Sequence, residues 1–322
     1  MYPLKFKPIL KQTIWGGDKI NELKKIQNGM PSVGESWEIS AVEGAESVVA
    51  NGEYKGYSLS RLIRLLKDEL VGTDIYARFG GKFPLLVKFI DAHEDLSIQV
   101  HPDDNLAMKR HNSLGKTEMW YVLHADKDAR LIAGFSERIT PKQYKEKVND
   151  GSFTDVLQSY QVKEGDVYYI PAGRVHSLGK GTMVAEIQET SDLTYRIFDY
   201  NRKDKDGHTR PLHISQAVDA IDYEDVETDA KVAYELVDNE PVEVVSSPKF
   251  TTSVYHVTEE VTCDYSELDS FVILICTKGA CNIIDGEAVT AMKAGETVLL
   301  AATTQVVRIE PNDEATLLEV YA

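Results

Sequence analysis

Between Gly165 and His176 the chain reads Gly-Asp-Val-Tyr-Tyr-Ile-Pro-Ala-Gly-Arg-Val-His, a Gly-x5-Pro-x-Gly-x2-His spacing. No other stretch restricts the fold as strongly. Gly165 opens a turn, the apolar run Val167 to Ile170 crosses a core once as a strand, and Pro171 with Gly173 shapes a second turn. His176 is thereby delivered into the mouth of a β-barrel. A looser parallel follows downstream, where Met292-Lys-Ala-Gly295-Glu-Thr297 matches Val162-Lys-Glu-Gly165-Asp-Val167 as a Gly-acidic turn feeding an apolar strand. Two related barrels, one after the other, would explain it.

The rest of the chain has the same texture. Glu46 to Ala50, Leu85 to Ile90 and Leu96 to Val100 are short β-branched or apolar runs broken by Gly, Pro, Asn and Asp, the spacing of an antiparallel sandwich or barrel. Helical periodicity is confined to a few places. Leu59, Leu62, Ile63, Leu65, Leu66 and Leu70 repeat at three- and four-residue steps after Ser58 as a cap, and Pro141 to Val148 and Ser215 to Ile221 read similarly. From about Ala230, strands are predicted at Phe271 to Cys276, Ala280 to Ile284, Thr297 to Ala301 and Leu317 to Tyr321. The acidic stretch Asp219 to Glu227 reads as a solvated linker. The expectation is a mainly β chain of two jelly-roll barrels in tandem with a few short helices. Residues 1–228 form the catalytic domain with helical insertions, and 229–322 form a C-terminal β domain.

Composition narrows the function. A chain of 322 residues, 43% hydrophobic and 27% charged, is globular in composition and long enough for a sizeable core. Its 35 basic and 52 acidic residues give a net charge of −17, a field that repels nucleic acid and anionic membranes. An anionic substrate must therefore meet a local basic pocket. Cys263, Cys276 and Cys281 form no Cys-x-x-Cys pair and read as reduced core residues. The N-terminus lacks the apolar core of a signal peptide, and no run approaches the ~20 apolar residues of a spanning helix, so a cytoplasmic location is expected.

A barrel histidine raises the question of which upstream residues join it. Strand side chains alternate faces, so Gln99 and His101 point together in Ile98-Gln-Val-His101, and Lys116, Glu118 and Trp120 share a face in Lys116-Thr-Glu-Met-Trp120. One Gln, two His and one Glu supply nitrogen and oxygen donors suited to zinc, with room for water or substrate. Singly, His101 reads as the end of a strand before a helix capped by Asp103, and Glu118 as an ion-pair partner. Their combination with the complete His176 motif favours a metal site. Lys88 interrupts the apolar strand Leu85 to Ile90, and because burying an unpaired ammonium is costly it should face a cavity or a carboxylate, the alternative being an outward-facing strand lysine. His93, His111, His124, His208, His213 and His256 have no such partners and read as surface or packing residues.

The Gly165–His176 segment resembles the second motif of the cupin superfamily, with Lys180 where that motif usually closes on Asn. Gln99-Val-His101-Pro, Lys116-Thr-Glu118-Met-Trp, Ile170-Pro-Ala-Gly-Arg-Val-His176 and Ala185-Glu-Ile-Gln-Glu-Thr-Ser-Asp192-Leu-Thr-Tyr-Arg196 together resemble the type I mannose-6-phosphate isomerases. Trp15-Gly-Gly17 and Gly34-Glu-Ser-Trp-Glu-Ile-Ser40 look typical of their short bacterial branch, and the likeness runs from Pro8 to about Ile221. The resemblance implies a zinc-dependent interconversion of mannose 6-phosphate and fructose 6-phosphate through an enediol, with one zinc per chain on Gln99, His101, Glu118 and His176. It matches Arg196 to the family's catalytic arginine, which stabilises enediolate charge or holds the phosphate. Asp192, four residues earlier, orients that arginine or moves a proton. Lys116 joins the catalytic set as a substrate contact, while Lys88 and Trp15 are the expected substrate-binding residues. The C-terminal barrel has Ala301 in place of the motif's Pro and His, so no metal is expected there and a structural or homodimer-forming role is. The competing readings are an iron cupin oxygenase, which would rely on more histidines, and a non-catalytic sugar-phosphate sensor, which would need Arg196 remote from the metal.

Overall fold

The computed structural model describes residues 1–27, 29–226 and 229–322. The fold is mainly β with a few helices, as the sequence predicts. The boundary at 228/229 and the end of the acidic stretch Asp219–Glu227 lie outside the described residues.

Two antiparallel sheets carry the histidine motif. The five-stranded sheet runs in the order Leu157–Gln161, Arg130–Phe135, His176–Ser177, Ile98–Val100, Tyr195–Phe198. The seven-stranded sheet runs Lys231–Val232, Val167–Ile170, Glu118–Ala125, Thr182–Glu189, Leu85–Ala92, Val33–Ile39, Ile9–Gly17. Trp120, Val122, Tyr168, Ile170 and Val184 pack with Leu131 and Ala133 in one buried cluster. The opposite face of the larger sheet, with Val87, Phe89, Met119, Ala185 and Ile187, packs on Phe250, Phe271, Ile273, Leu318 and Val320 of the third sheet. Burial of both faces explains why Leu85–Ala92 and Thr182–Glu189 are buried at every position.

The third sheet has Pro241–Ser246, Thr251–Val257, Val306–Tyr321, Val272–Asp285 and Glu296–Leu300 in order, and then continues into Leu4–Lys7 and Val48–Val49. The strands expected at Phe271–Cys276 and Ala280–Ile284 are one element, Val272–Asp285. The ladder to Val306–Tyr321 shifts register on both sides of Lys278–Gly279, and Gly279 takes φ 73°, so a bulge bends the strand between the two expected runs.

The helix after Ser58 is shorter than its leucine pattern. Ser58 caps it by accepting from the Arg61 amide, but the helix Leu59–Leu66 stops at Lys67 (φ 51°), and separate helices Asp68–Val71 and Thr73–Phe79 follow. Leu65 is solvent-facing rather than part of the apolar stripe. The other two helices that periodicity predicts form as Pro141–Asp150, with a Thr140–Gln143 capping box, and Ile214–Ala220, and the described residues hold two more α-helices, Lys19–Lys24 and Asp104–His111. Cys263, Cys276 and Cys281 are free and buried. Among the described residues no helix is long and apolar enough to cross a membrane.

Candidate metal centre and adjoining cavity

Alternation on the seven-stranded sheet gathers its charged residues. Lys88 shares a face with Ile90, Glu118 with Trp120, and Glu186 with Val184, all toward the cluster between the two sheets. Register brings them together, since Glu186 is the cross-strand neighbour of both Lys88 and Trp120. On the five-stranded sheet His176 pairs with Gln99, and Gln99 with Arg196. Directly opposed residues share a face, so His176, Gln99 and Arg196 form a row.

His101, Glu118 and His176 meet, their donor atoms within 4.8 Å of one another. His101 Nδ1 lies 2.8 Å from the Leu193 carbonyl and His176 Nδ1 2.9 Å from the Arg174 carbonyl. A carbonyl only accepts, so each Nδ1 carries a proton and donates, leaving the Nε2 lone pairs facing inward. Glu118 Oε2 is 3.5 Å from His101 Nε2, and Glu118 Oε1 is 3.3 Å from His176 Nε2. Both Glu118 oxygens are buried, and apart from the Lys116 ammonium beside Oε2 nothing donates to them among the described residues. Four lone-pair-bearing atoms, none carrying a hydrogen of its own, thus converge in a buried space, an arrangement that a cation stabilises. Lys116 Nζ supplies part of that charge, 3.2 Å from Glu118 Oε2 and 3.2 Å from His101 Nε2.

Electrostatics agree. Burial, reinforced by Lys116, holds both imidazoles in the neutral form, His101 well below the usual range and His176 at about 4. Burial pushes the Glu118 carboxyl upward against the pull of Lys116. Gln99 completes the group's edge, its Nε2 3.2 Å from His176 Nε2 and its Oε1 accepting from Ser97 Oγ at 3.1 Å. Rotation of the carboxamide would turn its oxygen to the same centre. The donor set of two neutral imidazoles, a carboxylate and an amide oxygen suits a divalent metal such as zinc.

A cavity of about 330 Å³ opens beside this centre. Gln99 and Lys116 belong to its wall, as do Trp15, Lys88, Asp192 and Arg196. Lys88 is 3% exposed and pairs with Glu186 at 3.1 Å and Glu35 at 3.9 Å. Burial opposes its charge, but those carboxylates outweigh it and hold the ammonium protonated well above the usual range. Arg196 lies at the rim, with Nε donating to Ser97 Oγ at 3.3 Å and Nη1 to the Pro211 carbonyl at 3.1 Å. These are neutral acceptors. The carboxylate that acts on it, Asp199, is already held by Arg202 and Arg210. Asp192 is exposed in the same cavity, and the hydrogen bonds of Arg196 go elsewhere, so the structure does not pair the two.

Three cavity residues escape the sequence reading. Glu186 accepts from Trp120 Nε1 at 2.9 Å as well as pairing with Lys88. Its signal was available, a carboxylate between the apolar residues Val184, Ala185 and Ile187 and on the same face as Val184. Arg210 joins the rim from a loop with no motif. His213, grouped above with surface or packing histidines, lines the cavity, and its Nδ1 accepts from the Arg196 amide at 3.1 Å while its own amide donates to the Arg196 carbonyl at 2.7 Å. A contact between residues on opposite sides of a loop leaves no local sequence pattern.

Comparison with known proteins accords with this geometry. The family model for phosphomannose isomerase type I, catalytic domain, matches residues 3–129. Mannose-6-phosphate isomerase ManA of Bacillus subtilis (strain 168) is 34% identical over 305 residues, 92% of each chain. Mannose-6-phosphate isomerase of Streptococcus mutans serotype c is 34% identical over 303 residues, 94% of this chain and 93% of its own. Among solved structures, the mannose 6-phosphate isomerase from Bacillus subtilis aligns with a TM-score of 0.86 at 30% identity, over 100% of both chains.

Proposed function

The chain belongs to the type I phosphomannose isomerase family and is an isomerase, and we propose that it interconverts mannose 6-phosphate and fructose 6-phosphate with one zinc ion held by Gln99, His101, Glu118 and His176. The observation that carries this reading is the cavity itself, which joins a lone-pair cluster in need of a cation to an arginine bonded only to neutral oxygens. A sugar whose hydroxyl oxygens reach the cation and whose developing oxygen charge reaches the arginine answers both ends. The row His176, Gln99, Arg196 puts the arginine beside the metal ligands, which disfavours a sensor with a remote arginine.

The bound metal would supply a positive centre for the C1 and C2 oxygens of the sugar. The chain's own residues do the rest. Isomerisation takes the proton from C2 and delivers one to C1, while the hydroxyl proton on O2 leaves and O1 gains one, so the atoms balance through a neutral enediol. Asp192 is the cavity carboxylate left to carry the carbon-bound proton. Arg196 holds the negative charge that develops on the oxygens, its fixed fork needing no reorganisation. Lys116 donates to a sugar oxygen at the metal's edge. Trp15 and Trp120 wall the sugar, and Lys88, locked by Glu186, sets the floor charge.

A proton NMR time course in D2O with mannose 6-phosphate, run on zinc-loaded and chelator-stripped protein, tests the reading. Fructose 6-phosphate forms only in the loaded sample, with deuterium at C1, and mannose 6-phosphate re-formed from it carries deuterium at C2. Failure of the zinc-loaded protein to convert the sugar would overturn the proposal. In the loaded enzyme Arg196→Met keeps the metal and loses at least 100-fold in kcat, and a rise in KM alone would place that arginine on the phosphate instead.

A further inference from the structure

The turn between Pro241–Ser246 and Thr251–Val257 belongs to the third sheet, yet one of its side chains reaches the metal-bearing half. Ser247 Oγ donates to the Phe250 carbonyl at 2.8 Å and accepts from the Lys249 amide at 3.2 Å, and Phe250 is buried in the core shared with the seven-stranded sheet. Lys249 therefore leaves a turn pinned on both sides. Its ammonium bridges Asp104 and Glu189, 2.7 Å from Glu189 Oε1.

Each of those carboxylates spends its other oxygen on the segment that carries Lys116. Asp104 Oδ1 accepts from the Gly115 amide at 2.8 Å, and Glu189 Oε2 accepts from the Thr117 amide at 2.8 Å. The Lys116 amide between them donates to the Pro102 carbonyl at 3.2 Å. Backbone lies directly on backbone here, because a Cβ on Gly115 would sit 2.7 Å from the Asp103 carbonyl carbon and the Asp104 nitrogen. His101 stands at one end of this stack and Glu118 at the other.

We infer that Lys249 is a positioning residue, holding Lys116 and Glu118 against His101 from the third sheet through Asp104 and Glu189. The inference rests on the metal centre proposed above. Two carboxylates are acceptors only, and without a shared cation they repel at close range. They then swing apart and release the two amides that fix the segment. The third sheet thereby acts on the chemistry while contributing no ligand, as an outer layer that orients those that do.

Lys249→Met, which keeps the chain length and removes the charge, tests this. Zinc affinity is read by competition with a chelator, and amide exchange of metal-free protein is read over residues 112–118 against the rest. Zinc binding is expected to weaken 10- to 100-fold, with faster exchange confined to that segment, and Lys249→Arg recovers most of both. A Lys249→Met protein that binds zinc within twofold of the parent with unchanged exchange overturns the inference. If the methionine variant does not fold, the arginine variant decides alone: near-parental affinity upholds the inference and a 10-fold loss in folded protein overturns it. Parent protein that binds zinc but does not isomerise the sugar would refute the function and leave this result standing.

Discussion

An ammonium that is 3% exposed survives at Lys88 because two carboxylates face it, Glu186 at 3.1 Å and Glu35 at 3.9 Å. Lys88→Met removes the cation and strands Glu186 in the interior, so the variant is expected to lose about 3–5 kcal/mol in urea unfolding. Adding Glu186→Gln should recover much of that loss, and a single-variant cost below about 1 kcal/mol would sink the argument. Glu319 is the opposite case. It accepts from Tyr265 at 2.5 Å, and no lysine or arginine contributes to its titration, so burial holds its carboxyl above the usual range. The folded state then keeps the proton longer than the unfolded one, and stability falls as pH rises from the unfolded carboxyl range near ~4.3 through the folded value. Glu319→Gln removes that slope. It is expected to be more stable than the parent by about 1–3 kcal/mol at pH 7 and equal to it below about pH 4, and a variant less stable at pH 7 would refute this. Residues of this kind were unevenly legible. Lys88 is visible because its apolar neighbours make an unpaired charge untenable, whereas nothing local in Ser-Glu-Leu or Leu-Glu-Val tells a buried glutamate from a solvated one.

Elements were legible where one strand or helix settles its own pattern. Val167–Ile170 has the bounds its flanking turns predict, and Pro141–Asp150 starts at its capping box. Prediction failed where a neighbour overrides the local pattern, as at the Lys278–Gly279 bulge and the left-handed Lys67. The two-residue strand His176–Ser177 is the most delicate of these elements. It is held by two residue pairs on one side and one on the other, and the chain beyond it presses Gly179 onto the neighbouring strand, where a Cβ would sit 1.7 Å from the Arg130 carbonyl oxygen. No rotamer relieves a clash with backbone. Gly179→Ala must displace the Leu178–Gly179 segment and with it the register that aims His176, so zinc binding should weaken at least 10-fold while the third sheet keeps its exchange protection. Parental zinc affinity in that variant would show that His176 is fixed by its own two hydrogen-bonded residues.

At the scale of the molecule the least legible feature is which distant segments pair. The alternation of Leu4-Lys-Phe-Lys7 announces a strand but not that its partners are Glu296–Leu300 on one side and Val48–Val49 on the other. Register between segments some 290 residues apart is decided by the collapsed core, which leaves no trace in either segment alone. That pairing has an energetic consequence. The largest buried cluster takes Leu4, Val49, Val87, Phe89 and Ile187 from before residue 228 and Phe250, Phe271, Ile273, Leu318 and Val320 from after it, in one contiguous body. Removing either part would uncover the other's apolar face, and Lys249 would leave Asp104 and Glu189 unbridged. The two parts are therefore expected to unfold together, giving one calorimetric transition whose van't Hoff and calorimetric enthalpies agree. A chain ending at residue 228 should expose the Val87 and Phe89 face, bind a hydrophobic dye and fail to unfold cooperatively. Two resolved transitions in the full chain, or a cooperative fold in the shortened one, would mean that the strands shared across the sheets contribute little and that the parts are independent domains.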